Sequence, residues 1–156
     1  MDERWRDAVA GYEANPSGYE FSATGRGVRY RVFATQYIGY TRFEVAFPHR
    51  KLKFDGGYRV RLRGGEHAIR APVKEAGPWN TYDNYWDARR YRTMWKDLPR
   101  GVNQVRAAYY NGGKDEFGRT VLNPAGVDLT PAVARRLGLA KYENAWIYVR
   151  FPWVQD

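Results

Sequence analysis

Residues 123–139, NPAGVDLTPAVARRLGL, and the run WIYVRF at 146–151 decide how this chain folds. Thr130-Pro131 opens a helix in the favoured arrangement, with a hydroxyl residue at the cap and a proline at the first helical position, where a missing N–H does no harm. Val133, Leu137 and Leu139 give this helix an apolar side and Arg135 and Arg136 a wet one, while Gly138 stands where a left-handed residue ends such a helix. Trp146 to Phe151 is rich in β-branched and aromatic residues and stops at Pro152, which cannot donate to a ladder. The order is strand, Asp128, short helix, strand.

Upstream, Val28 to Phe47 is dense in Tyr, Val, Phe, Thr and Ile with arginines between, which is strand chemistry. Tyr58–Leu62 and His67–Val73 alternate around Gly64-Gly65 and predict a hairpin. Asn15-Pro16-Ser17-Gly18 is a turn cluster. Before it, Trp5, Val9 and Tyr12 recur at helical spacing, so Asp2–Tyr12 is expected as a short amphipathic helix appended to the rest. The expected division is an N-terminal helix and extension at 1–27 and a mainly β domain at 28–156. From Asn80 to Arg106 the pattern loosens, and Trp79, Tyr82, Tyr85, Trp86, Tyr91 and Trp95 crowd in or beside that span. Long structured excursions of this kind are often functional; the rings either stack on sugars or pack the excursion onto the domain. Asn111-Gly112-Gly113 and Gly118 mark turns that put Asp115 and Glu116 at a loop tip as solvated charges.

The composition bounds the function. With 156 residues one core is the usual solution. No window approaches the apolar length of a membrane span. The charged start, MDERWRDAV, lacks a signal-peptide core, which leaves either a cytoplasmic location or a removed leader. Zero cysteines excludes disulfides, thiolate nucleophiles and cysteine-based metal sites. A net charge of +9, mostly from arginine, points to an anionic polymer such as nucleic acid, teichoic acid or peptidoglycan carboxylates, or else serves solubility alone.

The closing unit resembles that of double-psi β-barrels, above all the rare lipoprotein A-like domains, in which an aspartate-leucine-serine/threonine element opens a short helix ending in leucine-glycine. Ala71–Asn80, APVKEAGPWN, resembles the same family's strand that ends in an acidic residue before a glycine-proline-aromatic turn. The resemblance covers Tyr30 to Trp153 and implies a six-stranded double-psi β-barrel with short helices at the N-terminus and after Asp128. Relatives of that kind include lytic transglycosylases, barrel endoglucanases and the non-hydrolytic expansins. It implies a wall polysaccharide as substrate or ligand, an extracellular or cell-wall location with the cytoplasm left open, and a monomer; no cofactor is expected, and no metal either, since Asp83 and Asp87 lack the spacing of a calcium loop and His49 and His67 have no partner at ligand spacing. Asp128 matches the proton donor of the endoglucanases, Glu75 the acid before the glycine-proline turn of the transglycosylases, and His49, ahead of His67, their upstream histidine. The family carries aspartate where this chain has Glu75, and often arginine where it has Ala76, which removes one positive neighbour and makes Glu75 easier to protonate; alternatively Glu75 is an exposed strand-end charge paired with the neighbours of Lys74.

Cleaving a glycosidic bond needs an acid for the leaving oxygen, and hydrolysis usually a second carboxylate. Partial burial would raise Asp128 toward a useful general acid, whereas hydrogen bonds from the first amides of the following helix would lower it. Three readings follow. One is a glycan-cleaving enzyme using Asp128, Glu75 and His49. The second is a glycan-binding module stacking sugars on Trp79, Tyr82, Tyr85, Trp86 and Trp95, with Asp83 in the groove. The third is a nucleic-acid binder favoured by charge and aromatic interleaving.

Overall fold

The computed structural model describes residues 3–14, 20–21, 27–54, 57–77, 81–123 and 125–154. The elements run α1 (Glu3–Ala14), β1 (Glu20–Phe21), β2 (Val28–Gln36), β3 (Val45–Phe47), α2 (Arg50–Phe54), β4 (Arg59–Gly64), β5 (His67–Ala76), a 3-10 turn at Arg89–Tyr91, α3 (Val105–Tyr109), β6 (Val127–Leu129), α4 (Pro131–Arg136) and β7 (Ala145–Phe151). Strands β2-β6-β3-β5-β4-β7 are hydrogen-bonded in that order, and β7 returns to β2, which closes a six-stranded barrel with β1 paired outside it. Two pairs, β2–β6 and β3–β5, are parallel and the other four barrel pairs antiparallel. Closure leaves no free edge within the barrel. Strands in these places are what the strand chemistry predicts, and a closed, mainly β, six-stranded barrel with short helices is what the resemblance implies.

Alternation along each strand explains what fills it. Val28, Tyr30 and Val32 on β2, Val60 and Leu62 on β4, and Ile147, Val149 and Phe151 on β7 are buried together, while the arginines between them point outward. Val127 and Leu129 face the same core from β6, and Asp128, between them, faces out. Gly65 has φ +57, the left-handed conformation the two-residue β4–β5 hairpin turn requires. Gly138 has φ +82 just past α4, as the sequence predicts. Thr130 stands at the start of α4 with extended backbone, but its hydroxyl makes no cap bond. It bonds the backbone of Glu44 instead, donating to the carbonyl at 3.1 Å and accepting from the amide at 3.2 Å.

One expectation changes at the barrel's surroundings, and one open alternative is decided. The N-terminal helix is no appendage: Trp5, Ala8 and Val9 pack with Phe33, Val105, Ala108, Val121 and Ala125 in a second core outside the barrel wall. A Cβ on Gly11 would lie 2.2 Å from the Trp146 indole nitrogen, so that side of the helix also presses on the wall. Of the aromatic excursion, Tyr85 and Trp86 pack onto the domain, which is one of its two expected readings, while Tyr91 stays exposed. Tyr85 is fully buried and Trp86 is 2% exposed, stacked on Phe151 at 4.9 Å and 19° inside the main core. No described helix is long and apolar enough to cross a membrane.

Candidate functional site

Ala46 is the centre of the site. On one side it is the register partner of Asp128 in β6, on the other of Glu75 in β5, and Asp128 is in turn the partner of Thr35 in β2. Cross-strand partners share a face, so Thr35, Asp128, Ala46 and Glu75 form one outward row across four strands. The two acids flank a methyl group, their Cα atoms two strand spacings, roughly 10 Å, apart. Over this row lies a cleft of about 570 Å³ that Tyr37, Thr81, Arg119 and Thr120 also line.

Glu75 reaches this face only through an irregularity. Val45 pairs with Val73, yet the next residue, Ala46, pairs with Glu75, so Lys74 is an extra residue in β5. In regular alternation Glu75 would point the same way as Val73, into the core. The β-bulge turns it outward, a common use of bulges beside functional sites. Glu75 is then held by Lys53 of α2 at 2.8 Å and accepts the Ala76 N–H at 2.8 Å. Partial burial pushes its carboxyl up, but Lys53, Tyr40 and the Ala76 amide together outweigh this and hold it below its ordinary value. The expectation that Glu75 protonates easily is thus corrected: a cation comes from α2 in place of the arginine missing after Glu75.

Asp128 has the opposite environment. It is 7% exposed, and burial pushes its carboxyl up to about 6, against the Thr35 hydroxyl, the charge of Arg4 and the Leu129 amide. Thr35 Oγ1 donates to Asp128 Oδ1 at 3.1 Å, and Asn123 Nδ2 donates to Thr35 Oγ1 at 2.9 Å, so a buried chain of two side chains orients the carboxylate. Among the described residues its hydrogen-bond partners are the Thr35 hydroxyl and the Leu129 amide, not the amides that open α4. Thr35→Val, which keeps the shape and removes the donor, is expected to raise the Asp128 pKa above about 6. Carbon NMR titration of the carboxyl reads this directly, and an unmoved titration would show that Thr35 does not tune it.

Tyr37 overhangs the row. Burial first, then its bond to Glu44 and the nearby acids, hold the phenol well above its ordinary range, so it stays neutral. Its hydroxyl donates to Glu44 Oε2 at 2.6 Å, and Glu44 also accepts the Thr41 amide, which ties down the loop that follows β2. On the other rim Asp115 is no solvated loop-tip charge. It is 2% exposed and accepts the Phe117 and Arg119 amides at 2.9 and 3.0 Å and the Arg119 Nε at 3.1 Å. Arg119 is thereby set at the cleft with its guanidinium over the Tyr82 ring at 4.2 Å and toward Phe117 at 5.5 Å. Glu116 stays exposed and takes the Trp95 amide.

The remaining predicted site residues lie elsewhere. His49 is half-buried beside Trp86, its ring nitrogens engaged with the Lys51 amide at 3.2 Å and the Thr93 hydroxyl at 3.3 Å, and it does not line the cleft. Tyr82 is at the rim. Tyr85 and Trp86 are core, so neither face is open to a sugar. Asp83 is not in a groove: fully buried, it pairs with Arg92 at 2.8 Å and accepts the Gln104 amide at 2.7 Å, which holds the excursion together. Trp95 is half-buried, has φ 54, and donates from its indole to Gln104 at 3.2 Å. Trp79 lies outside the described residues.

A family described as domain of unknown function (DUF8814) matches residues 19–150. The chain belongs to this DUF8814 family. Every cleft residue named above lies within the segment that defines DUF8814, whereas α1 precedes it. No curated protein and no solved structure matches the chain.

Thr35, Lys53, Tyr37 and Arg119 were not singled out from the sequence. Thr35 and Tyr37 lie in a run where every residue reads as strand, and only register reveals which neighbour an outward hydroxyl meets. Lys53 sits on a helix of five residues, too short for periodicity to mark.

Proposed function

We propose that this protein cleaves wall glycan strands, with Asp128 as general acid and Glu75 as its ionised partner. One observation carries the reading: two carboxylates on a single outward row, either side of Ala46, have environments that push their protonation in opposite directions. Such divergence separates an acid from a base on one surface. With a sugar over Ala46, protonated Asp128 gives its proton to the departing glycosidic oxygen as the bond to the anomeric carbon breaks. The Glu75 carboxylate faces the positive charge that develops there and takes the proton of the attacking hydroxyl. That hydroxyl is either water, giving a new reducing end, or the sugar's own, giving an anhydro end. Arg119 at the rim supplies a cation for anionic groups on the glycan. The double-psi assignment is part of the same reading, supported by the two parallel pairs in the closed barrel.

The test is incubation with peptidoglycan sacculi and with β-glucan, with soluble fragments read by mass spectrometry. Anhydro or reducing ends are expected; retention of protein on the glycan without fragments would replace the enzyme by a binding module. Cleavage should follow a bell in pH, with a lower limb below the ordinary glutamate value of 4.5 and an upper limb near 6. Lys53→Met removes the cation that keeps Glu75 ionised, so its lower limb should move to higher pH while the upper limb stays. A lower limb that does not move would take Glu75 out of the mechanism.

A further inference from the structure

The other half of the barrel circumference carries a second row. Arg29 in β2 is the register partner of Arg150 in β7, Arg150 of Arg61 in β4, and Arg61 of Arg70 in β5. Four arginines therefore stand directly opposite one another across four adjacent strands, on the outer face. Arg59 and Arg63 extend the charge along β4 at two-residue steps, about 7 Å each. Like charges placed directly opposite destabilise a sheet. Arg59, Arg61, Arg63, Arg70 and Arg150 have no ion pair among the described residues to offset this. Arg59, Arg61, Arg63 and Arg70 are exposed. Folding needs none of these charges, since the residues that fill the barrel alternate with them.

We propose that this wall, β5-β4-β7-β2, binds a phosphodiester-linked anionic polymer of the wall teichoic kind through the row Arg70–Arg61–Arg150–Arg29. Guanidinium groups pair phosphates bidentately, and a row of them spaced by strands suits a chain of repeated phosphates rather than one isolated anion. A shallow cavity of about 190 Å³, lined by Arg29, Arg61, Arg63, Tyr148 and Arg150, lies within the row. The surface reads charge and not bases. Among the described residues Tyr148 is the exposed aromatic of this wall, with the Arg29 guanidinium over its ring at 5.1 Å, whereas single-stranded nucleic acid stacks successive bases on several rings. Among the described residues the wall is built of the strands β5, β4, β7 and β2, whereas a duplex groove is entered by a projecting helix or ribbon. The choice of a wall polymer rests on reading the cleft as a glycan-cleaving site, and the two surfaces would hold the protein on the wall while it cuts.

The experiment measures binding of the intact protein to poly(glycerol phosphate) and to oligothymidylate of equal phosphate number, at several salt concentrations. The Arg61→Gln/Arg70→Gln/Arg150→Gln protein is compared in each case. Poly(glycerol phosphate) should bind at least as tightly as oligothymidylate and weaken steeply with salt. The triple variant should lose about a hundredfold in affinity, at roughly tenfold or less per arginine. Its melting temperature should hold or rise as the opposed charges go, which separates lost binding from lost folding. Tighter binding of oligothymidylate, binding of neither polymer, or undiminished binding by the triple variant would each overturn the proposal. Asp128→Asn should leave polymer binding intact, and the triple variant should leave cleavage of an uncharged glucan unchanged, so failure of one reading is distinguishable from failure of the other.

Discussion

Asp128→Asn is expected to lower glycan cleavage by roughly 10²–10⁴-fold, the usual contribution of a positioned proton donor, and at the same time to make the protein more stable at neutral pH. Both effects have one cause. Asp128 is buried, its carboxyl is raised to about 6 from 3.8, and above pH 6 the folded state must hold a charge that water would solvate better. Between pH 3.8 and about 6 the folded protein keeps a proton that the unfolded chain has released, so the free energy of unfolding falls as pH rises through that window. Asparagine keeps an acceptor for the Thr35 hydroxyl and carries no charge. The gain should be on the order of 2–3 kcal/mol at pH 7 and vanish below pH 4. Thermal unfolding of both proteins at pH 3.5, 5 and 7, beside the cleavage assay, gives the answer. Lower stability of the variant at pH 7 would make Asp128 a structural acceptor, and undiminished cleavage would remove it from the chemistry.

The second large effect lies in the excursion. Arg92 is 1% exposed and Asp83 fully buried, paired at 2.8 Å, with Arg92 also donating to the Val102 carbonyl at 2.7 Å. Removing either partner leaves the other charge buried without a counter-charge, a loss of about 3–5 kcal/mol. Asp83→Ala and Arg92→Met should each lower the melting temperature by roughly 10 °C or more. The double variant should recover a large part of the loss, since no lone charge then remains. Urea unfolding of the four proteins measures the coupling; simple additivity would show that the pair acts through separate contacts. Because Tyr85 and Trp86 are carried by the same segment and fill the main core with Phe151, loosening it should expose barrel interior as well.

What was legible in the chain follows the range of each interaction. Thr130-Pro131 and Gly138 placed α4, the Gly64-Gly65 neighbourhood placed the hairpin, and alternation separated core valines from outward arginines, because caps, turns and strand faces are set by residues close in sequence. The same alternation pointed out Asp128 between Val127 and Leu129. Reading failed where a residue's partner is distant. The aromatic crowd from Tyr82 to Trp95 stayed open between a sugar platform and packing, because composition cannot tell a ring packed on Phe151 from one facing solvent. Asp115 is the exception, since its partners, the amides of Phe117 and Arg119, are close in sequence: residue type alone does not tell an aspartate that closes a turn on itself from one that faces water.

By itself, then, the sequence determined a mainly β chain with its helix starts, turns and strand faces, a strong positive charge, and two acids at strand ends. Only the tertiary structure decided that Asp128 and Glu75 share one row. Ring closure brings β6 and β5 to either side of β3, and the extra Lys74 reverses the face on which Glu75 emerges. The same closure aligned Arg29, Arg150, Arg61 and Arg70. Register across strands is chosen by the whole packed core, through side chains far apart along the chain, and no local pattern encodes it.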